Sequence, residues 1–86
     1  MYLHLGQDTI VTTDDIVGIF DLDTSTVSKI TREYLRQGER SGQVITIGYD
    51  LPKSFVLCKG RGKGDQRIYI SPIAVSTLLK RIGKVQ

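Results

Sequence analysis

Apolar and β-branched side chains come in short runs along the first 22 residues. "YLHL" (2–5) and "TIVT" (9–12) flank the turn-prone "GQD", and "DIVGIFD" (15–21) follows. Runs of this length and composition predict three strands forming a small antiparallel sheet. Gly18 inside the third run marks either a bulge or a close backbone approach.

The period then changes. In "DLDTSTVSKITREYLRQGERSG" (21–42) Val27, Ile30, Tyr34 and, less centrally, Leu35 recur at helical spacing. Lys29, Arg32, Arg36 and Arg40 fall on the other side, within roughly 80° of arc at ~100° per residue. Asp23, Thr24 or Ser25 is placed to cap a helix running to about Gln37, with Gly38 to end it. The basic stripe, interrupted by Glu33, is either a solvated face or a binding surface.

"QVITIGYD" (43–50), "SFVLCK" (54–59) and "QRIYI" (66–70) read as three more strands. Ser71 then caps a last helix that Pro72 begins, because proline has no N–H to lose at the first helical position. Val75, Leu78, Leu79 and Ile82 form its apolar face, Lys80 and Arg81 suit its C-terminal dipole, and Gly83 ends it. The predicted fold is α+β, a small and mainly antiparallel sheet with two helices in the order β-β-β-α-β-β-β-α.

At 86 residues the chain is read as one domain spanning 1–86, whose modest core leaves apolar surface to cover by self-association. No run approaches the ~18 apolar residues of a membrane span, and the "MYLHLG" start lacks the regions of a signal peptide. The single cysteine, Cys58, has no internal partner, so a reducing cytoplasm is the expected compartment. The net charge of +3 is strongly divided. Residues 1–28 carry five aspartates and no Lys or Arg, while the remainder holds all 12 basic residues against four acidic ones. That division fits a polyanion partner, a neighbouring copy docked acidic part to basic part, or opposite charges on two sides of one fold.

Catalytic and ligand motifs fail on spacing. "GRGKGD" resembles a nucleotide-binding loop, but its glycines are too close together and Gly64 follows Lys63 where a hydroxyl is needed. "DLDTS" begins like a calcium loop, yet Thr26 stands at the glycine place and Arg32 at that of the bidentate glutamate. His4 is the only histidine and falls in a strand. Neither an enzyme, a metal, a cofactor nor a small-molecule substrate is expected. What remains is "CKGRGKGDQR" (58–67), where Lys59, Arg61, Lys63 and Arg67 outweigh Asp65 by three charges, the net charge of the whole chain. Lying between two strands it reads as a basic hairpin, suited to phosphates when repeated around an assembly.

Four blocks in order, "MYLHLG", "DIVGIFD", "PKSFVL" and "IYISPIAVSTLLKR", resemble the extracellular matrix regulatory protein family (RemA/RemB), in particular its RemB (YaaB-like) branch. The resemblance implies a bacterial, cytoplasmic, non-enzymatic regulator of biofilm matrix genes. It also implies a domain like LytTR-type DNA-binding modules, a ring-like homo-oligomer, DNA binding and a possible related regulator as partner. In the DNA-binding RemA branch an arginine precedes the third strand and an arginine pair precedes "PKSFVL". Asp14 and Asp15 occupy the first place here and Asp50 and Leu51 the second, leaving only Lys53 basic nearby. The expected low-specificity DNA contacts are therefore Lys53, Lys59, Arg61, Lys63 and Arg67. Asp14, Asp15, Arg32 and Arg36 are the expected contacts between copies. The alternative is an oligomeric interaction protein that partners another regulator without binding DNA itself.

Overall fold

The computed structural model describes residues 1–22, 29–48, 50–60, 62 and 64–83. In chain order the strands are β1 (Tyr2–Gly6), β2 (Thr9–Thr12) and β3 (Ile16–Asp21), with a 3-10 turn (Thr13–Asp15) before the third. Helix α1 (Lys29–Arg40), strands β4 (Val44–Thr46), β5 (Ser54–Lys59) and β6 (Gln66–Ser71), and helix α2 (Val75–Gly83) follow. The fold is α+β in the expected order of elements.

The strands do not form one sheet. β1 and β2 pair only with each other, while the second sheet has the order β3-β5-β6-β4. The expected grouping of the first three strands is thus corrected: β3 runs antiparallel to β5, from Ile16 opposite Cys58 to Asp21 opposite Ser54. Its register shifts between Ile16 and Gly18, the bulge that the glycine announced. β4 is the exception to the antiparallel pattern, lying parallel to β6 with Ile45 opposite Tyr69. Because β3 and β4 are parallel edges of one sheet, α1 must cross from one edge to the other.

Side chains alternate across β5 and divide the core. Val56 and Cys58 face Leu3, Leu5 and Val11 of the hairpin and Leu78 of α2. Leu5, Val56 and Leu78 are wholly buried, each stabilising the fold by about 1.5–3 kcal/mol. Phe55, on the alternate face, stacks on Phe20 with ring centroids 4.8 Å apart. Strand β4 is shorter than the predicted 43–50 because Gly48 turns the chain at φ +71° and Ile47 drops into the core.

Two helix ends differ from expectation for packing reasons. Gly38 does not end α1 but lies buried within it, where a Cβ would stand 2.8 Å from Ile68 Cδ1. The helix ends one turn later at Gly42 (φ +71°), with Gln43 N donating to Gly38 O at 2.9 Å. At α2, Ser71 completes β6 instead of capping a helix at Pro72, and Ala74 O accepts the first helical bonds, from Thr77 and Leu78. Leu79 is 54% exposed and so lies off the buried face. Of the first helix's predicted features, Asp23, Thr24, Ser25 and Val27 lie outside the described residues.

Ser54 and Ser71 are fully buried and sit opposite each other in register. Ser54 Oγ donates to Ile73 O (2.7 Å) and Ser71 Oγ to Leu5 O (2.5 Å), while Ile73 N donates to Ser71 Oγ (3.1 Å). Two hydroxyls thereby fasten β5 and β6 to the N-terminal hairpin and to the approach to α2, with no buried side-chain polar atom left unsatisfied among the described residues.

Candidate functional site

The basic stretch is a hairpin. β5 and β6 pair antiparallel up to Lys59 opposite Gln66, and the turn between them is closed by Gly60 N donating to Asp65 O at 2.8 Å. Asp65 organises the tip. Its N–H donates to Gly62 O (3.0 Å) and its Oδ2 accepts from Gly62 N (3.1 Å). The hairpin read from the sequence is present, and the anion its backbone holds is the chain's own carboxylate. The glycines leave room for it: a Cβ on Gly60 would lie 2.5 Å from Asp65 Cβ. Sequence reasoning treated Asp65 only as an offset to positive charge. The Gly-Asp turn chemistry around it was the available clue.

Lys59 and Arg67 stand exposed at the stem, whereas Arg61 and Lys63 lie outside the described residues. Arg67 pairs with Cys58, so it is on the face of the sheet that carries the N-terminal hairpin. There it shares a cleft of about 140 Å³ with Ile10, Thr12, Asp15, Cys58, Lys59 and Tyr69. The structure therefore brings Asp15, an expected contact between copies, beside Arg67, an expected DNA contact. The Cys58 thiol is pushed up to about 11, chiefly by burial and also by Asp15, with Arg67 partly opposing them.

Other expected site residues are not brought together. Lys53 sits beyond the Ser54 end of β5 and Lys59 closes its other end, about 20 Å away at ~3.3 Å per residue. Lys53 is positioned by its backbone, which accepts from Leu22 N (3.0 Å) and donates to Ser71 O (2.9 Å). Beside it Asp50 and Leu51 are exposed, Leu51 at 79%. Arg32 and Arg36 are exposed on α1 with Lys29 and Glu33, remote in the chain from the 3-10 turn that carries Asp14 and Asp15. His4 serves structure: Nε2 hydrogen-bonds Gln7 O at the β1–β2 turn, and its carbonyl accepts from Arg81 (2.9 Å). Among the described residues no His, Cys, Asp or Glu cluster could hold a metal ion, and no helix is long and apolar enough to cross a membrane.

Residues 2–82 match a family described as extracellular matrix regulatory protein A-like. The chain belongs to the extracellular matrix regulatory protein family. It is 42% identical over 81 residues to extracellular matrix regulatory protein B of Bacillus subtilis (strain 168), which covers 94% of this chain and 89% of that protein. The match spans every strand, α1 and all but the last residue of α2, and it agrees with the resemblance carried by the four sequence blocks. The name of the relative is that of a regulator.

Proposed function

We propose that the protein is a non-enzymatic cytoplasmic regulator of matrix gene expression that assembles with copies of itself, ring-like, and holds DNA by its phosphates with low sequence specificity. The observation that carries the reading is the β5–β6 hairpin, a turn closed by Asp65 with exposed Lys59 and Arg67 at its stem, continuing into Arg61 and Lys63. Lys53 is a second contact, and since it lies about 20 Å from Lys59 the two engage separate phosphates, or the same duplex from neighbouring copies. What supports assembly is the divided charge of the chain; in the proposed assembly the acidic 3-10 turn of one copy docks on Arg32 and Arg36 of the next.

An electrophoretic titration at several salt concentrations tests this. Each phosphate contact removed should lower the log–log salt slope by about 0.9, so Lys59→Ala plus Arg67→Ala should flatten it by nearly two. Absence of any shift at low salt, or a slope unchanged in both variants, overturns it. A second reading, an interaction protein that partners another regulator without touching DNA, is favoured by the exposed Leu51 next to Asp50 and by Asp15 beside Arg67. Light scattering combined with the same titration separates them: an assembly that binds no DNA supports the second.

A further inference from the structure

Asp15 and Arg67 are far apart in the chain and opposite in charge, yet the fold holds them on one side of one sheet. Ile16 of β3 stands opposite Cys58 of β5, and Cys58 opposite Arg67 of β6, so the three form a row across the face that carries the N-terminal hairpin. At ~4.8 Å between strands the row is about 10 Å long. Asp15 is the residue before Ile16, at the end of the 3-10 turn. Asp15 and Arg67 line one cleft. Both act on the Cys58 thiol, in opposite senses, which places the carboxylate and the guanidinium within electrostatic reach of one sulfur and of each other.

The turn that carries Asp15 is fastened at both ends. Thr13 N and Thr13 Oγ1 donate to Met1 O at 2.9 and 3.2 Å, and Ile16 N donates to Thr13 O, so the backbone under Asp15 is held at the rim of the cleft. Asp15 and Arg67 are both exposed, and among the described residues no ion pair joins them directly. The guanidinium therefore keeps its donors for a phosphate, but a phosphate arriving there meets a second anion. Carboxylate and phosphate are the two anions that the planar guanidinium fork matches, so they compete for the same group.

We propose that Asp15 is a built-in competitor for the phosphate on Arg67, which holds the DNA affinity of each copy low and makes tight binding depend on several copies acting together. The assignment rests on the nucleic-acid reading above and names the residue that sets the strength of one of its contacts. The test is fluorescence anisotropy of a labelled duplex at low salt, with a double-mutant cycle of Asp15→Asn and Arg67→Ala. Asp14→Asn serves as a control of equal charge change, because Asp14 is on the same turn but does not line the cleft. With Arg67 present, Asp15→Asn should tighten binding about two- to ten-fold more than it does in the Arg67→Ala background, the effect of one like charge ~10 Å from the phosphate between water and a protein surface. Taking the ratio of the two gains cancels any effect of Asp15→Asn on assembly. Asp14→Asn should show a smaller coupling to Arg67. Equal gains from Asp15→Asn with and without Arg67, or equal couplings for Asp14 and Asp15, overturn the competitor but leave phosphate binding standing. Failure of all four proteins of the cycle to bind at low salt overturns the nucleic-acid reading and the competitor with it. Binding gained only on Asp15→Asn, and lost again on adding Arg67→Ala, supports both.

Discussion

The two ends of strand β5 are held in different ways. At the Ser54 end, two buried hydroxyls bond to Leu5 and Ile73, and the backbone of Lys53 bonds both ways, to Leu22 and Ser71. At the Lys59 end the strand runs into an exposed turn closed by Asp65 and by glycines that make room for it. Both ends present a cation. The first end is fixed by contacts far apart in sequence, so changes there should act on the whole fold; the second is fixed by residues within one turn, so changes there should act locally and on binding.

The largest effect is expected at the first end. Ser71→Val removes the donor to Leu5 O and the acceptor for Ile73 N, leaving two backbone groups without partners, one bond buried and the other part-buried. At 1–3 kcal/mol for each stranded group the loss should be about 3 kcal/mol, read by urea unfolding. A loss below about 1 kcal/mol would mean that water replaces the hydroxyl and that this end is no more firmly fixed than the other.

This difference also explains what the sequence could disclose. The β5–β6 hairpin was legible because its determinants are local: short strand-forming runs on either side of a glycine-rich turn. The bulge at Gly18 was legible for the same reason. The separation of β3 from β1 and β2, and the parallel placement of β4, were not, because strand partners are chosen by long-range burial and a crossover helix rather than by the runs themselves. Gly38 misled for a related reason: its role is to admit Ile68 and Val44 from other strands, a contact no local pattern reports. For the candidate site, composition singled out the basic turn but could not show that Lys53 and Lys59 stand at opposite ends of one strand. Nor could it show that Asp15 folds back beside Arg67.

Next in size is Gly60→Val at the second end. A Cβ would approach Asp65 Cβ to 2.5 Å and the Asp65 carbonyl carbon to 2.9 Å, so the turn must open. The cost should be about 1–2 kcal/mol, with amide exchange accelerating at Gly60 and Asp65 while Ser54 and Ser71 stay protected. Acceleration spread over the whole sheet would contradict the local character of this end.

A smaller loss of stability, about 0.5–1 kcal/mol, is expected from Asp65→Ala, which removes an exposed hydrogen bond to Gly62 N. The same change makes the turn more positive by one charge, so DNA affinity at low salt should rise while the loop becomes less ordered. If affinity falls despite the added charge, the order imposed by Asp65 matters more to binding than the charge it cancels.

The smallest effect at neutral pH, and the one that probes the strand between its two ends, concerns Cys58. The thiol is buried, and its pKa rises from 9.0 to about 11, burial being the largest cause, Asp15 adding to it and Arg67 opposing it. Below pH 9 the folded and unfolded chains both keep the proton, so the thiol contributes no pH dependence. Between about 9 and 11 the unfolded chain loses the proton and the folded chain holds it, so stability must fall as pH rises through that window. The comparison with Cys58→Ala isolates the contribution of the thiol. Urea unfolding at pH 8 and pH 10 should show a larger drop for the wild-type protein than for the variant. In Arg67→Ala the drop should begin at the same pH, since the unfolded thiol sets its start, and continue to higher pH, since the opposing cation is gone. Equal drops in the wild-type protein and Cys58→Ala would place the thiol in water and contradict its burial beside Asp15 and Arg67.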